Sequence, residues 1–166
     1  MPLSDQDHTA PRYSLVPRTL IFITRDEQIL LIKGAPHKRL WANLYNGLGG
    51  HVERGEDLRS AARRELAEET GLSADLWLCG TITIDTGESP GIGIFIFRGE
   101  SIQGEIRESP EGNLEWIPLN QVFSLPLVAD LPILLLRVLA TLPGSAPFSG
   151  LYSYDTEGKL QITWGK

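Results

Sequence analysis

The chain has only one cysteine, Cys79, among its 166 residues. A lone thiol excludes an internal disulfide and leaves no cysteine–histidine zinc pattern. Cys79 sits in Leu76–Thr83, a stretch that reads as a strand, so a buried, inert thiol is expected. Long apolar runs are also missing. The longest, Leu131–Leu142, is interrupted by Pro132 and Arg137 and falls well short of the ~20 residues that span a bilayer. Residues 1–12 are polar, contain Pro2 and Pro11, and lack the apolar core of a signal peptide. A cytoplasmic protein with no membrane partner is therefore expected. No basic run exceeds Lys38-Arg39 or Arg63-Arg64, and the net charge is −6. Duplex nucleic acid is not an expected partner of such a chain. An acidic protein can still take an anionic substrate if metal ions stand between the two. Low-complexity tracts and internal repeats are absent as well.

What is present reads as a flexible arm over residues 1–12 and one domain over 13–166, a length typical of single domains. Leu15–Thr24 and Gln28–Lys33 read as strands of a hairpin turning at Asp26-Glu27. A loop with basic residues follows, then the glycine-rich stretch Tyr45–Val52. Asp57–Thr70 is the strongest helix signal, with Glu56 and Asp57 at its start and Gly71 at the position that ends helices. Strands are expected at Leu76–Ile84, Ile92–Gly99 and Leu114–Pro118, with a polar connection over Ser101–Glu111. Asp130 is placed to cap a second helix running to about Leu142, with Pro132 in its first turn. Phe148–Tyr154 and Leu160–Trp164 read as a final hairpin. This order predicts an α/β (α+β) fold: a mixed sheet with a helix on each side.

The first helix carries the chemistry. On a wheel of ~100° per residue, Ala61, Ala62, Leu66 and Leu72 form an apolar stripe around Leu58. Glu65 and Glu69 fall inside that stripe, about 20° to either side of its centre, and Glu68 lies at its edge. Ionised carboxylates do not enter a packed face without a positive partner, because each costs several kcal/mol to desolvate. Arg64 is available, but a divalent cation is the better partner for three carboxylates at i, i+3 and i+4. Hard oxygen ligands suit Mg²⁺, with Mn²⁺ as a substitute. Gly49-Gly50 allows close approach of backbone to a ligand, or simply makes a tight turn.

Gly50, five residues, Glu56, seven residues and then Arg64-Glu65-Leu66-Ala67-Glu68-Glu69-Thr70-Gly71-Leu72 resembles the Nudix box at every fixed position. The resemblance implies an α/β/α sandwich in which residues 50–72 form a loop–helix–loop. It implies hydrolysis of a nucleoside diphosphate linked to another moiety. By position, Glu65, Glu68 and Glu69 resemble the metal-binding and base cluster, and the Gly50 carbonyl a further metal ligand. Arg64 and Glu56 resemble a paired brace that orients the cluster.

The wider chain resembles the branch that acts on oxidised purine triphosphates of the 8-oxo-dGTP type. Tyr45–Gly50 resembles the stretch in which an Asn, here Asn46, reads the base, and Asp130 falls near the acidic pair that reads the purine edge. Ser101–Ser109 also resembles that branch, with Glu108 on the position of a downstream acidic metal ligand. Glu111 is a second source of that acid, and both residues suit plain solvent exposure equally. Lys33 either reaches the phosphates or ends a strand, and Asn46 also suits a turn beside Gly47. The chain departs from the branch in three places. Ala129 precedes a single Asp130, Leu127 and Val128 stand where an aromatic residue would stack on the base, and His51 replaces a Lys. A pyrophosphatase of ADP-ribose or another nucleotide sugar is the alternative enzyme, and a non-catalytic nucleotide sensor the alternative class.

Overall fold

The computed structural model describes residues 2, 5–6, 11–109 and 111–165. Most of the expected N-terminal arm thus lies outside the described residues. The described chain forms one sheet. Strand β1 (Leu15–Arg25) turns at Asp26, which takes a left-handed φ of 49°, into β2 (Gln28–Gly34). Strand β3 is short (Tyr45–Asn46), but the chain beyond it stays extended, with Leu48 bridged to Ile21 and His51 to Arg18. Helix α1 (Leu58–Thr70) leads into β4 (Ser73–Ile84), β5 (Gly91–Gln103) and β6 (Gly112–Pro118). Helix α2 (Leu131–Ala140) precedes the hairpin of β7 (Phe148–Tyr154) and β8 (Leu160–Trp164). The strand order is β3-β2-β1-β5-β4-β7-β8, with β6 on β2. The β1–β5 and β4–β7 pairs are parallel and the others antiparallel, so the sheet is mixed as expected.

Alternation along the strands produces two cores. Ile21 and Ile23 pack with Ala62, Leu66 and Leu72 on the α1 side, while Phe22 packs with Leu131, Leu134, Leu135 and Val138 on the α2 side. Helices on both faces make the α/β/α sandwich. Cys79 is buried on the α2 side, a free thiol whose pKa burial pushes up to about 11.

The caps of α1 follow the sequence. The Asp57 carboxylate accepts from the Arg59 and Ser60 amides at 2.9 and 3.0 Å, and Gly71 closes the helix in the left-handed region at φ 78°. Three expectations are corrected. Strand β5 continues through Gln103, because Ser73 and Asp75 supply it with partners in a strand that begins earlier than Leu76. Helix α2 stops at Ala140, and Thr141 is extended two residues before Pro143. Asp130 stands at the N-cap position of α2 but makes no capping hydrogen bond, since its backbone is already helical. Among the described residues no helix is long and apolar enough to cross a membrane.

Candidate active site

The site begins where residues 48–51 run beside β1. Thr19 donates its amide to the Gly50 carbonyl at 2.8 Å, which leaves that oxygen one lone pair for another partner. Helix α1 lies over this turn. A β-carbon on Gly50 would stand 2.5 Å from Glu65 Oε1, so a larger residue there would push that carboxylate aside. Gly49, at φ 128°, donates its amide to Glu69 Oε2 at 2.8 Å. The two carboxylates that the wheel placed within the apolar stripe therefore both meet the glycine turn.

Arg64 ties the rest together. Its Nη2 and Nε donate to the two oxygens of Glu56 at 2.7 and 3.1 Å, a bidentate pair. Its Nη1 donates to Glu65 Oε1 at 2.9 Å and to Glu68 Oε2 at 3.1 Å, and its Nη2 also reaches the His51 carbonyl. The Arg64 hydrogen bond holds the Glu56 carboxyl below its usual range, and the Glu53 amide adds to this. Those carboxylates in turn raise the Arg64 pKa. Glu65 is largely enclosed, with 14% of its side chain exposed against 59% for Glu68.

Glu69 differs from its neighbours because no arginine meets it. Burial pushes its carboxyl up to about 7 despite the Gly49 amide, and the charges of Glu65 and Glu111 push the same way. Lys38, whose charge opposes the shift, is itself ion-paired with Glu111. Among the described residues no three carboxylate, imidazole or thiol side chains converge as a preformed metal cage. Arg64 occupies Glu65 and Glu68 instead. The donor set still suits Mg²⁺, which keeps several waters and binds through one or two carboxylates plus substrate phosphates. Glu69, a carboxylate short of positive charge on the Gly49 amide, is the group that fits it best.

The remaining expected residues are scattered. Glu108 is exposed and makes no hydrogen bond or ion pair with the cluster, whereas Glu111 acts on Glu69. Lys33 places its ammonium 5.5 Å from the centre of the Tyr45 ring, and the Tyr45 hydroxyl donates to Glu115 at 2.9 Å. Asn46 uses its side-chain oxygen to accept from the Gly47 amide at 2.8 Å. Residues 126–128 run beside Tyr45, which brings the start of α2 towards Asn46, but no hydrogen bond links Asn46, Lys33 and Asp130 to one another. Burial raises the Asp130 pKa. The Tyr152 hydroxyl faces Asp130 without forming a hydrogen bond of good geometry. Tyr152 and Arg18 were not singled out from the sequence. The usable signal for Arg18 was its place in an apolar alternation with Leu20 and Phe22. A cleft of about 870 Å³ lined by Arg25, Arg98, Ile102 and Trp116 shares no residue with the carboxylate cluster.

Residues 15–148 match the model of the NUDIX domain. The oxidized purine nucleoside triphosphate hydrolase of Danio rerio is 36% identical over 106 residues, 63% of this chain and 67% of that protein. The NAD-capped RNA hydrolase NudC of Pseudomonas aeruginosa is 30% identical over 122 residues, which are 72% of this chain but only 41% of that longer protein. The crystal structure of a MutT protein from Bacillus halodurans superposes with a TM-score of 0.75 at 25% identity, covering 90% of this chain and 97% of that one. The family match spans strands β1 to β6 and the carboxylate helix seated on Gly49-Gly50, and this chain belongs to the Nudix hydrolases.

Proposed function

We propose that residues 13–166 form one Nudix domain that hydrolyses a purine nucleoside triphosphate to the monophosphate and pyrophosphate, with Mg²⁺ as cofactor. The observation that carries the reading is Glu69, a half-buried carboxylate with no arginine partner, held against the glycine turn. Glu65, Glu68, Glu69 and the Gly50 carbonyl would hold the metal, with Glu108 or Glu111 as the additional acid. A bound divalent cation supplies charge neutralisation at the phosphates and acidifies the attacking water. The chain's own residues do the rest. Arg64, fixed by Glu56, orients Glu65 and Glu68. A carboxylate of the cluster accepts the proton of the attacking water. Lys33, whose ammonium lies by the Tyr45 ring next to Asn46, would reach the phosphates. Likeness to the oxidised-purine enzymes favours a purine, with Asn46 and Asp130 beside the base. The cytoplasm, with its nucleotide pool, is the compartment this reading expects.

The test is a substrate panel of 8-oxo-dGTP, the normal deoxynucleoside triphosphates, ADP-ribose and a sugar nucleotide with Mg²⁺, products being separated by ion exchange. Monophosphate and pyrophosphate from 8-oxo-dGTP, with poor turnover of dGTP, is the expected result. Preferred cleavage of ADP-ribose would keep the carboxylate chemistry and discard the Asn46 and Asp130 assignment. Tight binding of one nucleotide with no turnover of any would make the domain a sensor.

A further inference from the structure

Among the described residues, two buried side-chain polar atoms lack a hydrogen-bond partner: Arg18 Nε and Tyr152 Oη. Both belong to the α2 face of the sheet. Arg18 precedes Leu20 and Phe22 on that face of β1 and lies opposite Ile94 of β5. The register continues from Ile94 to Ile82 of β4, and one row over from Ile84 to Tyr152 of β7. Leu20, Ile94 and Ile84 on this face are partly buried, beside the fully buried Ile82 and Ile96. The result is an apolar floor with a guanidinium at one side and Tyr152 with Asp130 at the other. Small-molecule sites have this composition, an apolar lining with a few placed polar groups.

Arg18 also makes no ion pair among the described residues. A buried N–H without an acceptor is costly, and a guanidinium offers donors only. Thr19, the next residue, faces the other way, and its hydroxyl accepts from the Gly50 amide at 3.4 Å. The carboxylate cluster is therefore on the Thr19 side, and Arg18 points away from it. Building on the reading that the substrate is a purine triphosphate with its phosphates at that cluster, we propose that Arg18 is a substrate-binding residue. It donates to a carbonyl oxygen of the base and makes the site prefer keto purines over amino purines. Guanine and its 8-oxo form carry O6, an acceptor, where adenine carries the N6 amino group, a donor that a guanidinium cannot pair with.

The test compares Arg18→Met and Arg18→Lys with wild type. In Arg18→Met, KM for 8-oxo-dGTP and dGTP should rise about 5- to 150-fold with kcat little changed, while KM for dATP moves far less. Arg18→Lys, which keeps the charge but not the fork, should fall between. The free Arg18→Met protein should melt at or above the wild-type temperature, because it loses no partner. A lower Tm, an equal loss on every nucleotide or an unchanged keto-to-amino ratio would overturn the assignment. Binding of dGMP and dAMP without metal separates the two readings. Preference for dGMP that vanishes in Arg18→Met, in a protein that hydrolyses no triphosphate, sinks the hydrolysis and keeps Arg18. Equal binding of both monophosphates by wild type sinks Arg18 whatever the turnover.

Discussion

The two helices cover opposite faces of one sheet by different means. Helix α2 buries Leu131, Leu134, Leu135 and Val138, four large aliphatic side chains. Helix α1 buries Ala61, Ala62, Leu66 and Thr70, so a single large aliphatic side chain does the same task. The space that leucines fill under α2 is given to Glu65 and Glu69 under α1. What α1 lacks in apolar burial it recovers through its Asp57 cap, its Gly71 terminus and the Arg64 pairs. One helix is held mainly by packing, the other by hydrogen bonds and charge, and only the second presents chemistry.

Substitutions should separate the two. Glu69→Gln should lower hydrolysis about 10²–10⁴-fold while Tm holds or rises, since a neutral amide replaces a half-buried carboxylate without a cationic partner. Retained turnover in that variant would break the contrast at its root. Leu134→Ala should cost about 2–5 kcal/mol in denaturant titration, with unchanged turnover per folded molecule. Arg64→Lys should weaken Mg²⁺ activation about 10- to 100-fold, because an ammonium cannot make the bidentate pair with Glu56. A magnesium titration of initial rates reads this directly. The smallest effect concerns Cys79 beneath α2. Its burial-raised pKa should leave it unlabelled by a thiol reagent at pH 8 in wild type and Glu69→Gln, and slowly labelled in Leu134→Ala. Equal labelling of all three would show that α2 does not guard that core.

The legible parts of the molecule are those whose determinants are near in sequence. Helix α1, its caps and the contact of Glu65 and Glu69 with the glycine turn follow from spacing within residues 49–71. The hairpins follow from alternation and turn residues. The acid near Glu69 was harder to choose, because Glu108 and Glu111 lie in one polar connection. The choice depends on where β6 leaves β2, with the Ala35 amide bonded to the Glu111 carbonyl and Gly112 packed against Lys33. Arg18 was only half legible: its alternation with Leu20 and Phe22 is local to β1, but its neighbours Ile94 and His51 come from distant segments. Asp130 looked like a cap because of its residue type, but the backbone had already turned helical one residue early.

The parallel pairing of β1 with β5 sets an order of assembly. Leu15 finds its partner only at Gly91, and the register runs on to Ile23 and Gly99. During synthesis the whole Nudix box is polymerised before the strand that closes the sheet beneath it. Until then α1 is a short helix with two leucines and several carboxylates to offer, too little to stand alone in water. Long-range parallel pairing is slow to form, so the acidic helix waits for a distant strand. The emerging chain therefore cannot hold an assembled catalytic surface before β5 has been made.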